Sequence, residues 1–423
     1  MRVKLIHNFI CLFFVLLCGA AISAGGAAVT AASAAPAQDV FTVTFSSDSG
    51  DFSYTDGYIE PTDFLVADEI YSRKINAPLS EKRAMMSRAV KAGASYERAV
   101  TLCMPRAAET VDAMEKALYV PARDAEMTFD PKGSPPFTIK REKNGRKLDR
   151  EKTFELIYIC VLRGYGDCIA PPLVPIKPEV TSEKLIARTY LRANFSTEFS
   201  ADNVDRSHNI ALALSHVDGT VLNPGDEFSF NKTVGARTES RGFRQAKIIM
   251  DGDYVLGYGG GVCQASTTIY NAALRAGLEI TEVHAHSLSS GYVAASLDAM
   301  VNSSSADLKF RNPLSEPVYI AARAQNGVAR VRIFGLKSEL KIVPVSVVRE
   351  TISPPEEELV ADLEHKYLPV EAESGDKMRI RNPKDGIKSE AYLEYYRGAV
   401  LVRRIKIRSD YYRPLRGMTV YAP

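Results

Sequence analysis

Cys263 follows the run Gly257-Tyr258-Gly259-Gly260-Gly261-Val262, and His284, His286 and Asp298 come after it in that order. A thiol, an imidazole and a carboxylate are the parts of a nucleophilic site: attacking group, base, and a group that orients the base. Four glycines within five residues allow positive φ and a close approach of the backbone to other groups. Beyond them Ile269, Ala272, Ala273 and Ala276 recur at three and four residues, and Gly277 stands where a left-handed cap belongs. This predicts a helix with Cys263 at or beside its first residue. Free backbone N–H groups and the helix dipole at that point favour the thiolate. Ser266, Thr267 and Tyr270 lie three, four and seven positions on, so they share a face with the sulfur and are candidate substrate contacts. The competing reading of Cys263 is a small buried residue packed under a glycine turn.

The stretch Glu279 to His286 alternates as a strand, which would put His284 and His286 on one face. Tyr292 to Asp298 continues a β pattern. In the catalytic reading Cys263 is the nucleophile, a histidine is general base and acid, and Asp298 holds that histidine. The N–H of Gln264, or the glycine backbone before it, would line an oxyanion hole. Two alternatives stand beside this: histidines that are ordinary polar groups on a sheet edge, or a zinc site made with Cys263 or Asp298. The preferred reading needs no metal and no cofactor. Arg206, Arg237 and Arg241 are candidates for bidentate recognition of carboxylates on peptide or sugar, against the alternative of solvated or internally paired arginines.

The rest of the 423 residues must position these groups, and there is chain enough for several domains. With 53 Lys and Arg against 51 Asp and Glu, no bulk attraction to nucleic acid is expected. Arg2, Lys4 and His7 precede an apolar run, and 21 residues from Phe9 to Val29 carry no charge. Residues 1–38 therefore read as a signal peptide or a membrane anchor, and export is expected either way. Outside a membrane disulfides persist, and Cys160 and Cys168 could pair across the Gly164-Tyr165-Gly166 turn or stay as separate thiols. Residues 39–180 read as an α+β module. A β stretch at Phe41, Val43 and Phe45 leads to helices at Pro61–Tyr71, Ser80–Ala92, Glu109–Ala117 and Leu148–Leu162, with strands at Ala125–Phe129 and Phe137–Lys140 and a proline-rich crossing after Ile169. Residues 181–337 read as an α+β core whose cysteine helix packs on an antiparallel sheet. Residues 338–423 alternate as short strands and read as a small all-β domain.

Residues from about Asn194 to Gly335 resemble the VanW family, named for an accessory protein of some vancomycin-resistance clusters. The residues that carry the resemblance are Phe195-Ser196-Thr197, Arg206 with Asn209-Ile210, Asn223-Pro224-Gly225 with Phe228-Ser229-Phe230-Asn231, Gly259 to Gln264 with Ser266-Thr267-Thr268, His286-Ser287 and Asp298-Ala299. The chain departs from the family at Val283 and Leu297, where arginine is common. The family's motif makes His286 the first choice of base and His284 the second. It implies association with the cell envelope and names no reaction. The stretch Leu274 to Thr281 is similar to the helix-to-strand crossing of transglutaminase-like thiol enzymes, which implies the order cysteine, histidine, aspartate. The region holding Pro121–Ala125 and Gly145–Asp149 resembles the peptidoglycan-binding domain that commonly precedes such a core. The tail, with Gly375, Gly386, Gly398 and Gly417, resembles the small wall-associated β domain named for its five glycines. Together these imply an exported peptidoglycan-binding protein, either a cysteine-dependent acyl transferase or peptidase on wall peptides, or a non-catalytic wall-binding scaffold with a structural cysteine.

Overall fold

A computed structural model of the chain describes residues 40–57, 77–164, 168–250 and 253–423. The signal or anchor segment and the helix expected over Pro61–Tyr71 lie outside the described residues. Among the described residues no helix is long and apolar enough to cross a membrane. The architecture is α+β, with helices set against several small sheets, and the chain divides into two compact units.

The first unit runs up to Leu118 and resumes over Leu148–Pro172. Strands β1 (Val40–Ser47) and β2 (Gly50–Gly57) form a hairpin, and Phe41, Val43 and Phe45 turn one face inward as their alternation predicts. Helices α1 (Leu79–Lys91), α2 (Tyr96–Cys103), α3 (Arg106–Leu118) and α4 (Arg150–Arg163) complete its core around Met86, Val111, Met114, Phe154 and Ile157. Asp149 caps α4 by accepting from the Lys152 amide, and Gly164 ends it in the left-handed region. Cys160 is buried, Cys168 is exposed, and no disulfide joins them.

The second unit comprises Tyr119–Lys147 and Leu173–Pro423. Its main elements begin with β3 (Tyr190–Glu198) and α5 (Val204–Val217), followed by the hairpin of β4 (Gln245–Met250) and β5 (Asp253–Tyr258). Next comes α6 (Val262–Ala276), which bears Cys263. Strands β6 (Glu279–Glu282) and β7 (Lys309–Arg311) pair with each other, and β8 (Val318–Gln325) and β9 (Val328–Gly335) follow. The centre of the unit is an antiparallel sheet in the order β3, β9, β8 and the two-residue strand Val221–Leu222. Helix α6 lies on this sheet with Ala265, Ile269, Ala272, Ala273 and Ala276 fully buried. Small residues on that face let a helix approach a sheet closely, so the alanine spacing predicts the packing as well as the helix. The short hairpin Glu126–Phe129/Phe137–Lys140 packs Phe129 and Phe137 on Tyr319 and Phe334, with ring centroids 5.3 to 6.4 Å apart.

The tail is β throughout, as its alternation predicts. Strands β10 (Lys341–Ile352), β11 (Gly386–Arg397) and β12 (Val400–Tyr412) form one antiparallel sheet. A smaller sheet joins Glu358–Ala361, Lys377–Arg381 and Met418–Tyr421. The larger sheet is no satellite: Ala391 belongs to the main apolar core, and Leu393 and Ile407 pack against it.

Two local expectations fail near the site. The strand that starts at Glu279 ends at Glu282, with His284 paired only through an isolated bridge to Met300. Residues Tyr292 to Asp298 form bends and turns rather than a strand, with Ser296 in the left-handed region at φ 62°. Alternating residue types describe this stretch poorly because side-chain hydrogen bonds, not a ladder, take up its backbone groups.

Candidate functional site

Gly261 is the residue before α6, at φ 105°, and Gly259 is also left-handed at φ 82°. A Cβ on Gly261 would lie 2.9 Å from Arg206 Cγ and 3.0 Å from Ile210 Cγ1. One on Gly259 would lie 2.9 Å from both Cβ and Cγ of Arg237. The glycine run thus lets the stems of two arginines pack against the start of the helix. Gly261→Ala combines a φ that L-residues avoid with an overpacked contact, and is expected to cost about 3 kcal/mol of stability. Urea denaturation of the two proteins measures this, and a loss under ~1 kcal/mol would refute it.

Cys263 is half-buried at the second residue of α6, and its Sγ lies 3.3 Å from the Val301 carbonyl oxygen. His286 is held by Asp298 twice, with its amide donating to Oδ2 at 2.8 Å and its Nδ1 2.6 Å from the same oxygen. That leaves Nε2 as the ring nitrogen for sulfur. Burial pushes the Cys263 thiol up, but His286, then the Val301 backbone and the charge of Arg237 outweigh it, and the thiol sits below its ordinary value. Burial acts to lower His286, but hydrogen bonds and charge from Asp298 and Cys263 raise it to about 9. Asp298 is nearly inaccessible, which favours its neutral form, yet His286 and then Tyr412 hold it below the usual carboxylate range. All three shifts favour one arrangement: thiolate, imidazolium, carboxylate.

The other expected members divide. His284 points to Glu282, with Nε2 3.0 Å from Oε1, and is not part of the constellation. The strand that would have set both histidines on one face ends before either. Gln264 is buried, and its N–H already donates to the Gly261 carbonyl at 2.9 Å, so it has no amide for an oxyanion. Its side chain takes a bond from Arg206 Nη2 at 2.7 Å and donates to Thr197 Oγ1 and the Glu198 carbonyl. The amide of Cys263 itself makes no hydrogen bond among the described residues and is the donor at the helix start that remains open.

Ser266, Thr267 and Tyr270 are buried and do not contact substrate-accessible space. Ser266 Oγ donates to the Ala299 carbonyl at 2.5 Å, and Thr267 Oγ1 accepts from the Ala299 amide at 3.0 Å. Asn271 adds a bond of 2.7 Å to the Leu297 carbonyl. The polar face of α6 is therefore a rack for the segment Leu297–Ala299 that carries the aspartate. Arg241 is tied to the Val234 carbonyl at 2.8 Å, an internal role.

Arg206 and Arg237 flank the thiol. Burial pulls both guanidinium groups below their ordinary value, and the charge of Cys263 acts on each. Arg237 donates to Asn231 Oδ1 at 2.5 Å and stacks over Phe230. Arg206 lines a cavity of about 460 Å³ together with Ser196, Glu198, Phe199 and Tyr292. Burial pushes the Tyr292 hydroxyl up, and the charge of Cys263 acts on it in the same direction. Sequence reasoning also misses Asn209, Tyr412 and Arg408. Asn209 carries no titratable group, and the other two lie more than a hundred residues from their partners. Among the described residues no group of three or more His, Cys, Asp or Glu side chains is arranged to hold a metal ion.

Residues 205–334 match the family model described as "VanW like protein". A Bacillus subtilis (strain 168) protein, "Uncharacterized protein YoaR", is 35% identical over 204 residues, covering 47% of this chain and 67% of that protein. The chain belongs to the VanW family. Residues 66–166 match a second family model, "Putative peptidoglycan binding domain". With both matches on one chain, this VanW member is a cell-wall-associated protein. About a fifth of the chain is also similar to two solved five-glycine domains. One is the IgA1 protease G5 domain structure, at 16% identity and a TM-score of 0.14, with 21% of this chain and 93% of that one covered. The other is the HP0197-G5 crystal structure, at 15% identity and 0.11, with 20% and 100% covered.

Proposed function

We propose that this VanW protein is exported to the cell envelope, binds peptidoglycan and acts on its peptide part through Cys263, His286 and Asp298. The observation that carries the reading is His286 Nδ1 seated 2.6 Å from the buried Asp298 carboxylate, with the same ring and a half-buried sulfur at a helix start acting on each other's charge. In the reaction, thiolate Sγ attacks an amide carbonyl carbon and forms a C–S bond. The oxyanion is met by the Cys263 N–H. Collapse breaks the C–N bond, and the amine leaves with the proton from His286 Nε2. A water or an amine then attacks the thioester, gives its proton back to His286 and releases the thiolate. Arg206 and Arg237 would recognise a carboxylate beside the scissile bond, because desolvated guanidinium groups without an acidic partner in hydrogen-bond contact bind anions strongly. Residues 39–180 supply attachment to the wall, 181–337 the chemistry, and 1–38 export with or without a membrane anchor.

A second reading, a wall-binding scaffold with a structural cysteine, is favoured by one contact, the approach of Sγ to the Val301 carbonyl at 3.3 Å. Muropeptide profiles decide between them. Sacculi treated with the protein are expected to yield a cleaved or newly cross-linked stem peptide, and Cys263→Ala is expected to leave the profile of untreated wall. Identical products from the two proteins would establish the scaffold.

A further inference from the structure

The segment from His286 to Asp298 is held from the tail by six hydrogen bonds. The Arg413 amide donates to the Ser287 carbonyl at 2.8 Å, and Lys384 Nζ bonds the Ser289 carbonyl. The Ser296 amide donates to the Tyr412 hydroxyl oxygen at 2.7 Å, and Ser296 Oγ lies 2.7 Å from Ser389 Oγ. Arg408 Nη1 donates to the Asp298 carbonyl at 2.8 Å. The Tyr412 hydroxyl in turn donates to Asp298 Oδ1 at 2.5 Å, opposite the oxygen that holds His286. Tyr412 and Ser296 are fully buried, Ser389 and Asp298 nearly so. Arg408 is fixed by Asp410 through two bonds, of 2.7 and 3.0 Å. A detachable wall-binding appendage has no need of a buried tyrosine aimed at a carboxylate in the neighbouring core.

We infer that the larger sheet of the tail is part of the thiol site, with Tyr412 and Arg408 as positioning residues that set the ionisation and aim of Asp298 and, through it, His286. The inference rests on the proposed thiol chemistry. The two oxygens of Asp298 act separately, Oδ2 orienting the imidazole and Oδ1 accepting the tyrosine proton. Tyr412 thereby stabilises the charged carboxylate without competing for the histidine. The left-handed turn at Ser296 is held by the same hydroxyl, so the geometry and charge of Asp298 are set from one point. Without the tail strand, the Asp298 carboxylate would sit buried with one hydrogen-bonding side unfilled, a condition that favours its protonation.

The test is the rate of Cys263 alkylation by iodoacetamide against pH, followed on the Cys263 peptide by mass, with exposed Cys168 as internal reference. In the wild-type protein Cys263 is expected to react well below the pH at which Cys168 does. Tyr412→Phe removes only the hydroxyl. It is expected to shift the acid limb of the Cys263 profile up by about one pH unit, with roughly tenfold slower alkylation at the foot of the limb. Tyr411→Phe, at the exposed neighbour, is expected to leave the profile in place. If Tyr412→Phe lacks a cooperative melt, Arg408→Lys is read instead, with a shift in the same direction expected. A variant profile superimposed on the wild type overturns the positioning role. Should wild-type Cys263 react no earlier in pH than Cys168, the thiol chemistry beneath the inference fails as well.

Discussion

His286→Ala is expected to slow alkylation of Cys263 near pH 6 by about a hundredfold, because the sulfur returns to an ordinary thiol that is scarcely ionised there. The lowering of the wild-type thiol is a product of its neighbours. Burial alone would raise the thiol, and the imidazolium beside it, aided by the Val301 backbone and then the Arg237 charge, turns the balance. The helix start contributes as well, but it survives in the variant, so the loss reports the histidine. Turnover is expected to fall further, by about 10³-fold, since the same ring also protonates the leaving amine. The pairing also fixes a pH window for stability. The folded His286 value is raised to about 9 from 6.5, so its contribution is complete below 6.5 and is lost as pH rises through 9. Asp298 is depressed, so its contribution is present above the ordinary carboxylate value and is lost as pH falls through the folded one. Cys263 is depressed, so its contribution rises over the interval in which that of His286 is lost, and the stability advantage of wild type over His286→Ala should stay nearly level between pH 6.5 and 9. An advantage that falls steadily over that interval would mean that the sulfur stays a protonated thiol beside the imidazolium.

The cysteine helix is legible in the sequence because its signals are local: apolar spacing over Ile269–Ala276 and a glycine at either end. The candidates for nucleophile, base and orienter stand out for a related reason, since few residue types do that chemistry. What surrounds them is much less so. Ser266 and Thr267 share the sulfur's face as their spacing predicts, but a helix face does not say whether it meets ligand or protein, and here it meets the backbone of Ala299. The choice between His284 and His286 turns on where a strand ends, which depends on pairing with Lys309–Arg311 rather than on residues 279–286 themselves. Tyr412 reads as one more alternating residue of a β tail, and only the packing of that tail on the core gives it a partner.

Asn209→Ala is expected to destabilise the protein by about 4 kcal/mol, more than the loss of any single hydroxyl around the site. Asn209 is completely buried on α5, and its amide makes three bonds with two separate loop segments. Nδ2 donates to the Arg244 carbonyl at 2.9 Å and to the Gly260 carbonyl at 3.0 Å, while Oδ1 accepts from the Arg244 amide at 2.8 Å. Alanine would leave backbone groups of both residues without those partners, in a place too closely packed for solvent to replace them readily. Each such group costs about 1–3 kcal/mol, which is why the sum exceeds that for loss of one surface bond. The consequence reaches the sulfur by a route separate from the histidine. Gly260 belongs to the turn that sets the start of α6, so loosening it spreads the positions of the Cys263 amide and Sγ without altering His286 or Asp298. Urea denaturation should show the midpoint fall while Cys263 alkylation keeps its wild-type acid limb at lower amplitude, the reverse of the pattern for Tyr412→Phe. A stability loss below about 1 kcal/mol would show that the glycine turn holds its shape without the asparagine, and that the arginine stems packed against Gly259 and Gly261 are what fix the nucleophile.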